Sequence, residues 1–204
     1  MYPSQIALPR YDAPSRPAWG KAAPHTMSQR GSGPDHITIG EVDMEHQTLI
    51  EAAANVHGLP VQLVSAVVGV ESGGDACAFR YEPAFYERYI RGNPQVRAVR
   101  PCSLETERTA QATSWGLMQV MGATARGLGY PGAFLSGLTR PEEGLEYGCR
   151  LLAKLAKRHE AGHGWPGVVA AYNAGSVRFT PGGGFVNQSY VDKIAQALGG
   201  EWPK

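Results

Sequence analysis

The chain has 204 residues, 43% of them hydrophobic, enough for a buried core and too many for wholesale disorder. Lys and Arg number 19 against 18 Asp and Glu, a net charge of +1. That balance argues against a dedicated nucleic-acid binder, which needs a basic surplus to displace counterions. Charged residues make up only 18%, and 26 glycines with 15 prolines form about a fifth of the chain, so much of it must be loop.

Residues 1–36 hold Pro3, Pro9, Pro14, Pro17, Pro24 and Pro34, with Arg10, Arg16, Lys21 and Arg30 against Asp12 and Asp35. Proline fixes φ and removes a backbone donor, and no apolar periodicity runs through this stretch. It reads as an extended tail, leaving residues 37–204 as one domain of formal charge −1. The start, Met1-Tyr2-Pro3-Ser4-Gln5, lacks a basic segment followed by an apolar one, so no secretory signal is expected. The most apolar run, residues 63–70, falls far short of the ~20 residues a bilayer requires, so no membrane span is expected either. Cys77, Cys102 and Cys149 form no CxxC pair. An odd number of cysteines in an unsignalled chain reads as free, buried thiols, with a Cys77–Cys102 bridge as the alternative.

The remainder reads as helices between Gly-rich loops. Asp43 suits an N-cap, and Leu49, Ala52, Ala53 and Val56 follow at helical spacing until Gly58. Pro60 suits the first turn of a second helix through Leu63, Val64, Val67, Val68 and Val70, apolar nearly all round and therefore buried. Residues 83–91 suit a short helix with Phe85, Tyr86 and Tyr89 on one side; residues 91–113 are polar and carry no clear pattern. Thr139-Arg140-Pro141 opens a long helix whose stripe is Leu145, Cys149, Leu152, Ala156 and His159. Glu142, Glu143 and Glu146 near its start and Lys154, Lys157 and Arg158 near its end complement the helix dipole. Residues 165–172 and 187–198 suit two more helices, the last stopped by Gly199-Gly200. With no internal repeat and no strong β alternation, the domain is expected to be mainly α.

Four segments carry candidate chemistry: Glu71-Ser72-Gly73-Gly74, Ser114-Trp115-Gly116-Leu117-Met118-Gln119-Val120, Ala170-Ala171-Tyr172-Asn173-Ala174-Gly175 and Ser189-Tyr190-Val191-Asp192-Lys193-Ile194. Glu71 ends an almost wholly apolar helix. Burial and the negative end of the helix dipole both disfavour a charged carboxylate, so such a group keeps its proton toward neutral pH, as a general acid must. The bland alternative is a solvated glutamate that begins a loop.

Taken in order, Glu71-Ser72, Gly116-Leu117-Met118-Gln119, Ala171-Tyr172-Asn173 and Tyr190-Val191 resemble the signatures of soluble lytic transglycosylase catalytic domains. These form a lysozyme-like, goose-type family that cleaves bacterial peptidoglycan. The resemblance spans roughly residues 47–198, and the stretch from Arg80 to Tyr86 looks like an insert of phage-encoded members. It implies a mainly α lysozyme-like fold and a single catalytic acid, Glu71. That acid would protonate the glycosidic oxygen between N-acetylmuramic acid and N-acetylglucosamine. It would then act as base on the muramoyl sugar's own primary hydroxyl, leaving an anhydromuramoyl end. The same resemblance implies that Ser72 bonds near the reacting sugar, that Met118 and Gln119 line the cleft, and that Tyr172 orients Glu71. It also implies that Asn173 contacts the sugar and that Tyr190 closes the cleft wall. No cofactor and no metal is implied. The partner is the glycan strand of peptidoglycan. The tail could join a phage tail or secretion assembly, with the protein acting in the periplasm or cell wall as a virion component or phage lysin.

Three alternatives remain. Glu71 and Gly116 are separated by 44 residues, a longer stretch than compact members need, and Glu82, Glu87, Glu105 and Glu107 lie in it. Glu82 is the candidate second carboxylate, which would make the enzyme a lysozyme-type hydrolase of the same bond; a structural salt bridge is the plainer role. Tyr81, Phe85, Tyr86 and Tyr89 could stack on sugars, though their spacing suits packing. A second alternative is a non-catalytic peptidoglycan-binding virion protein, against which the intact Glu71 argues. The third is a zinc endopeptidase, because His159-Glu160-Ala161-Gly162-His163 matches H-E-x-x-H. Gly162 and Gly164 are expected to interrupt that helix, and no third histidine follows.

Overall fold

A computed structural model describes residues 44–204. The tail over residues 1–36 and the expected N-cap Asp43 lie outside the described residues. The fold is mainly α, as expected. Helix α1 spans Met44–His57 and ends where Gly58 takes φ +64°. Its buried positions are Ile50 and Ala54, while Val56 is 77% exposed. The expected apolar face of Leu49, Ala52, Ala53 and Val56 is therefore rotated by about one residue. The rotation follows from His57, whose Nε2 lies 2.8 Å from Glu146 Oε2 and which must face the neighbouring helix to reach it.

Helix α2, Val61–Ser72, buries Leu63, Val64, Ala66, Val67 and Val68, with Pro60 at its N-cap. Gly73 ends it in the left-handed region, donating its N–H to Gly69 O. Helix α6, Pro141–Ala174, breaks at Gly164 (φ 60°, ψ −173°), where a residue with a Cβ would be strained, and Pro166 starts the second half. Leu145, Cys149, Leu152 and Ala156 are buried along its first half, as the stripe predicted, and His159 is half-buried. Helix α7, Gln188–Ala197, buries Tyr190, Val191 and Ile194. α2 packs against α1 and α7, and α6 packs against α1 and α7, so the apolar α2 sits inside a helical cage.

The stretch without a clear pattern, residues 91–113, holds a helix of its own, and a small sheet lies on either side of it. Three short strands, β1 (Phe79–Tyr81), β2 (Thr113–Trp115) and β3 (Val120–Met121), form an antiparallel sheet in that order. Phe79 pairs with Trp115, and Ser114 with Met121. Strands of two or three residues cannot display a period-two pattern, which is why none was visible. Between β1 and β2, α3 (Pro83–Phe85) runs into a π turn over Tyr86–Ile90, and α4 (Leu104–Gln111) is capped by Ser103 Oγ, which accepts from Thr106 N. Phe85, Tyr86 and Leu104 pack on a small second core of Ile90, Val96 and Ala112, which gives Phe85 and Tyr86 the packing role that their spacing suggested. Helix α5, Gly122–Gly127, follows β3.

Glu107 is fully buried on α4, and Arg126 of α5 meets it fork to fork, Nε to Oε1 at 2.8 Å and Nη2 to Oε2 at 3.0 Å. Gln111 Nε2 adds a third bond to Oε1, and Arg126 Nη1 reaches the carbonyls of Tyr130 and Gly132.

The cysteines are free; Cys102 and Cys149 are buried, but Cys77 is exposed, contrary to expectation. Burial, aided by the charge of Glu146, pushes the Cys149 thiol up to about 12, so it stays protonated. Among the described residues no helix is long and apolar enough to cross a membrane.

Glu146 joins α6 to α1. Burial alone would raise its pKa, but the hydrogen bonds and charges of His57 and Arg150 outweigh that and hold it below the ordinary 4.5. A carboxylate lowered in the folded state stabilises above its unfolded pKa and loses that contribution as pH falls through the folded one. Thermal melts should therefore show Glu146→Gln less stable than the parent at pH 7, by up to about 1 kcal/mol because the site is a third exposed. The gap should close as pH drops below about 4.5. A gap that persists or widens in acid would contradict this assignment.

Candidate active site

Glu71 lies in the last turn of α2 and is 4% exposed. Its Oε1 accepts a 2.8 Å hydrogen bond from the hydroxyl of Tyr190 on α7. It opens onto a cleft of about 140 Å³ that it shares with Glu82, Phe85, Gln119, Tyr172 and Asn173. Val120 and Met121 of β3 and Leu151 and Leu155 of α6 supply its apolar wall. A buried carboxyl on the wall of a partly apolar cleft is the arrangement a general acid needs.

The second signature is the tight connection between β2 and β3. Gly116 takes φ +71° and donates its N–H to Ala78 O at 2.8 Å. A Cβ there would sit 2.2 Å from the carbonyl oxygen of Leu138. Gly116→Ala should therefore cost at least about 2 kcal/mol in chemical denaturation, from left-handed strain plus the backbone clash. Unchanged stability would mean that the turn has another course.

Gln119 takes φ +46°, unusual for a residue with a side chain. Its amide spans the turn: Nε2 donates to Ala78 O and Gly116 O, both at 3.0 Å, and Oε1 accepts from Ser114 Oγ at 2.9 Å. Both donors are spent on the protein, so what Gln119 can offer a sugar is residual acceptor capacity at Oε1. Tyr172, on the second half of α6, donates its hydroxyl to Met118 O at 2.8 Å and also lines the cleft.

Two expectations need correction. Met118 was expected to line the cleft, but its side chain is fully buried behind it, 4.0 Å from Cys149 Sγ and packed over Gly148. A long apolar side chain in a turn of this size gains more from the core than from water, so only its backbone carbonyl serves the site. Ser72 was expected beside the reacting sugar; its hydroxyl instead bonds Leu117 O at 2.8 Å and Val68 O at 3.2 Å, and accepts from Gly74 N. It ties the end of α2 to the β2–β3 turn. Tyr190 sits behind the wall as well, where it holds Glu71.

Asn173 lines the cleft, and its Oδ1 accepts from Asn187 Nδ2 at 3.0 Å. Glu82 lines the same cleft as Glu71 and pairs with Arg80, whose Nε lies 2.7 Å from Oε1. Asn187, which holds Asn173, lies outside every candidate segment, and Ser114, which holds Gln119, opens the second segment; neither was foreseen as a site residue. Leu151 and Leu155 could have been found from their spacing of four.

The H-E-x-x-H stretch takes a different form from the one expected. α6 runs through Gly162 and His163 and breaks only at Gly164. His159 and His163 sit one turn apart with ring centroids at 6.3 Å, and His163 meets Phe179 edge-on at 5.5 Å. Burial, then the charges of Arg158 and His163, lowers the pKa of His159. Among the described residues no group of three or more His, Cys, Asp or Glu could hold a metal ion.

A family model described as the transglycosylase SLT domain matches residues 48–181, close to the span over which the signatures run. The endolysin of Enterobacteria phage PRD1 is 31% identical over 137 residues, which cover 63% of this chain and 88% of that endolysin. All four signatures except the last fall within the matched range, and the mainly α architecture is the lysozyme-like one. The chain belongs to the transglycosylase SLT family.

Proposed function

We propose that this peptidoglycan-degrading enzyme is a lytic transglycosylase in which Glu71 acts alone as acid and then base. The observation that carries the reading is the placement of Glu71: 4% exposed, on the cleft wall, with one oxygen held by Tyr190. In the first step the Glu71 proton passes to the glycosidic oxygen as the bond from the muramoyl anomeric carbon to that oxygen breaks. In the second, the muramoyl primary hydroxyl attacks the anomeric carbon and gives its proton to Glu71. One bond breaks, one forms, the proton returns, and no water is consumed. A single carboxylate that alternates roles suffices, whereas most glycosidases need a pair. Asn173, Gln119 and Tyr172 would line the path of the sugars, and the apolar wall from β3 and α6 would take their less polar faces.

A second reading, hydrolysis of the same bond, is favoured by one observation, the presence of Glu82 in the same cleft. Its Oε1 takes hydrogen bonds from both Nε and Nη2 of Arg80, the structural salt bridge that is the plainer role for this carboxylate, and that role favours the transglycosylase reading. We further infer that residues 37–204 are the catalytic unit and residues 1–36 a tether to a phage tail or secretion assembly. The protein would be a phage virion component or phage-encoded lysin that works on the wall from the periplasm. Digestion of purified peptidoglycan with mass spectrometry of the fragments tests the chemistry. Anhydromuramoyl ends are expected; reducing muramoyl ends would establish the hydrolase, and released peptides with intact glycan would exclude both.

A further inference from the structure

The loop that leads into α7 ends at Asn187, a residue outside every signature. Its side chain makes no cap bond to its own helix. Instead Nδ2 reaches back across 17 residues to Ala170 O at 3.1 Å and to Asn173 Oδ1 at 3.0 Å, both on α6. The backbone carbonyl of Asn187 meanwhile accepts from Tyr190 N at 2.9 Å, the first hydrogen bond of α7. One residue thus fastens the start of α7 to the end of α6. Tyr190, whose hydroxyl holds Glu71, follows three positions later in that same turn.

The polarity of this clamp can be deduced. A carbonyl oxygen can only accept, so the Asn187 atom on Ala170 O is the amide nitrogen. The atom of Asn173 that faces the same nitrogen must then be its oxygen. That choice turns Asn173 Nδ2 inward, where it is buried and has no partner. An unpaired buried donor costs about 1–3 kcal/mol, and flipping Asn173 to relieve it would set two NH2 groups against each other. The clamp is therefore kept at a local cost, the pattern expected where an arrangement serves function rather than stability alone.

We propose that Asn187 is a positioning residue for the reaction: by clamping α7 to α6 it sets the reach of the Tyr190 hydroxyl onto Glu71. The kinetic consequence rests on the transglycosylase reading above; the geometric one does not. The test compares Asn187→Asp, which keeps the shape but presents an acceptor to two acceptors, with Tyr190→Phe and the double variant. On soluble oligomers of alternating N-acetylglucosamine and N-acetylmuramic acid, each single variant should lower kcat by on the order of tenfold or more, with KM within about twofold. The double variant should be no worse than the worse single one, because both remove the same restraint. Losses that multiply, or a loss confined to KM, would overturn the proposal.

A second readout needs no activity. The hydroxyl-bearing ring carbon of isotopically labelled Tyr190, assigned with Tyr190→Phe, should move in NMR spectra when Glu71→Gln is made. That response should vanish in the Asn187→Asp background, and an equal response in both backgrounds would overturn the clamp. If Asn187→Asp does not fold, Asn187→Ala carries the same expectations. If the parent releases no glycan fragments, the functional reading fails while the NMR comparison still decides the clamp.

Discussion

Glu71→Gln should abolish peptidoglycan lysis while leaving thermal stability nearly unchanged. Gln has the size of Glu, and its amide oxygen can still accept from the Tyr190 hydroxyl, so the buried site keeps its packing and the hydrogen bond at Oε1. The variant loses only the ability to give and take a proton. General acid–base catalysis contributes roughly 10²–10⁴-fold, and here one group serves both steps, so the loss should lie at or beyond the upper end. The melting temperature should stay within roughly 4 °C of the parent, the equivalent of about 1 kcal/mol for a domain of this size. Turbidity loss of a cell-wall suspension and a thermal melt check both halves. A lytic Glu71→Gln protein would remove Glu71 from the mechanism; an unfolded one would mean that its carboxylate is structural.

The largest stability effect is expected far from the chemistry. Arg126→Ala should lower stability by about 3–5 kcal/mol, because it leaves the fully buried Glu107 carboxylate without its cation. At roughly 2–4 °C per kcal/mol, the melting temperature should fall by about 6–20 °C. Replacing both partners by apolar residues, as in Glu107→Met with Arg126→Leu, should cost less than Arg126→Ala alone, since no unpaired charge remains. A fall of under 2 °C for Arg126→Ala would mean that water reaches Glu107 in the single variant. The pair matters to the site at one remove, because α4 and α5 flank β2 and β3, and Ala123 and Thr124 of α5 line the cleft.

What was legible in the sequence follows the physics of each signal. α2 and the first half of α6 were readable because burial demands apolar side chains at a period the eye can follow: Leu63, Val64, Val67 and Val68 in one, Leu145, Cys149 and Leu152 in the other. Gly58 and Gly199-Gly200 marked helix ends because positive φ is cheap only for glycine. The face of α1 was misjudged because His57 was not expected to be drawn inward by Glu146, 89 residues away. α4 went unread because its one fully buried residue is charged, and hydropathy has no way to mark a carboxylate whose partner lies 19 positions on.

The site divides the same way. Glu71 was legible as a carboxyl at the end of an apolar helix, and the ordered signatures led to its neighbours. The division of labour among those neighbours was not legible. Met118 and Ser72 each stand in a signature, yet Met118 fills the core, and the Ser72 hydroxyl ties the end of α2 to the β2–β3 turn. Gln119 looked like a sugar ligand but spends its amide on Ala78, Gly116 and Ser114. Asn187, with no signature at all, makes hydrogen bonds from the start of α7 to α6. Such roles depend on which polar groups face each other across the fold, a fact that spacing along the chain does not encode.

In the proposed reaction Glu71 closes the muramoyl sugar on itself and water takes no part. Digestion of peptidoglycan in isotopically labelled heavy-oxygen water tests this directly, with mass spectrometry of every new muramoyl end. Anhydromuramoyl ends without label are the expected result. Label at the anomeric position of reducing muramoyl ends would show that water attacked that carbon and would contradict it.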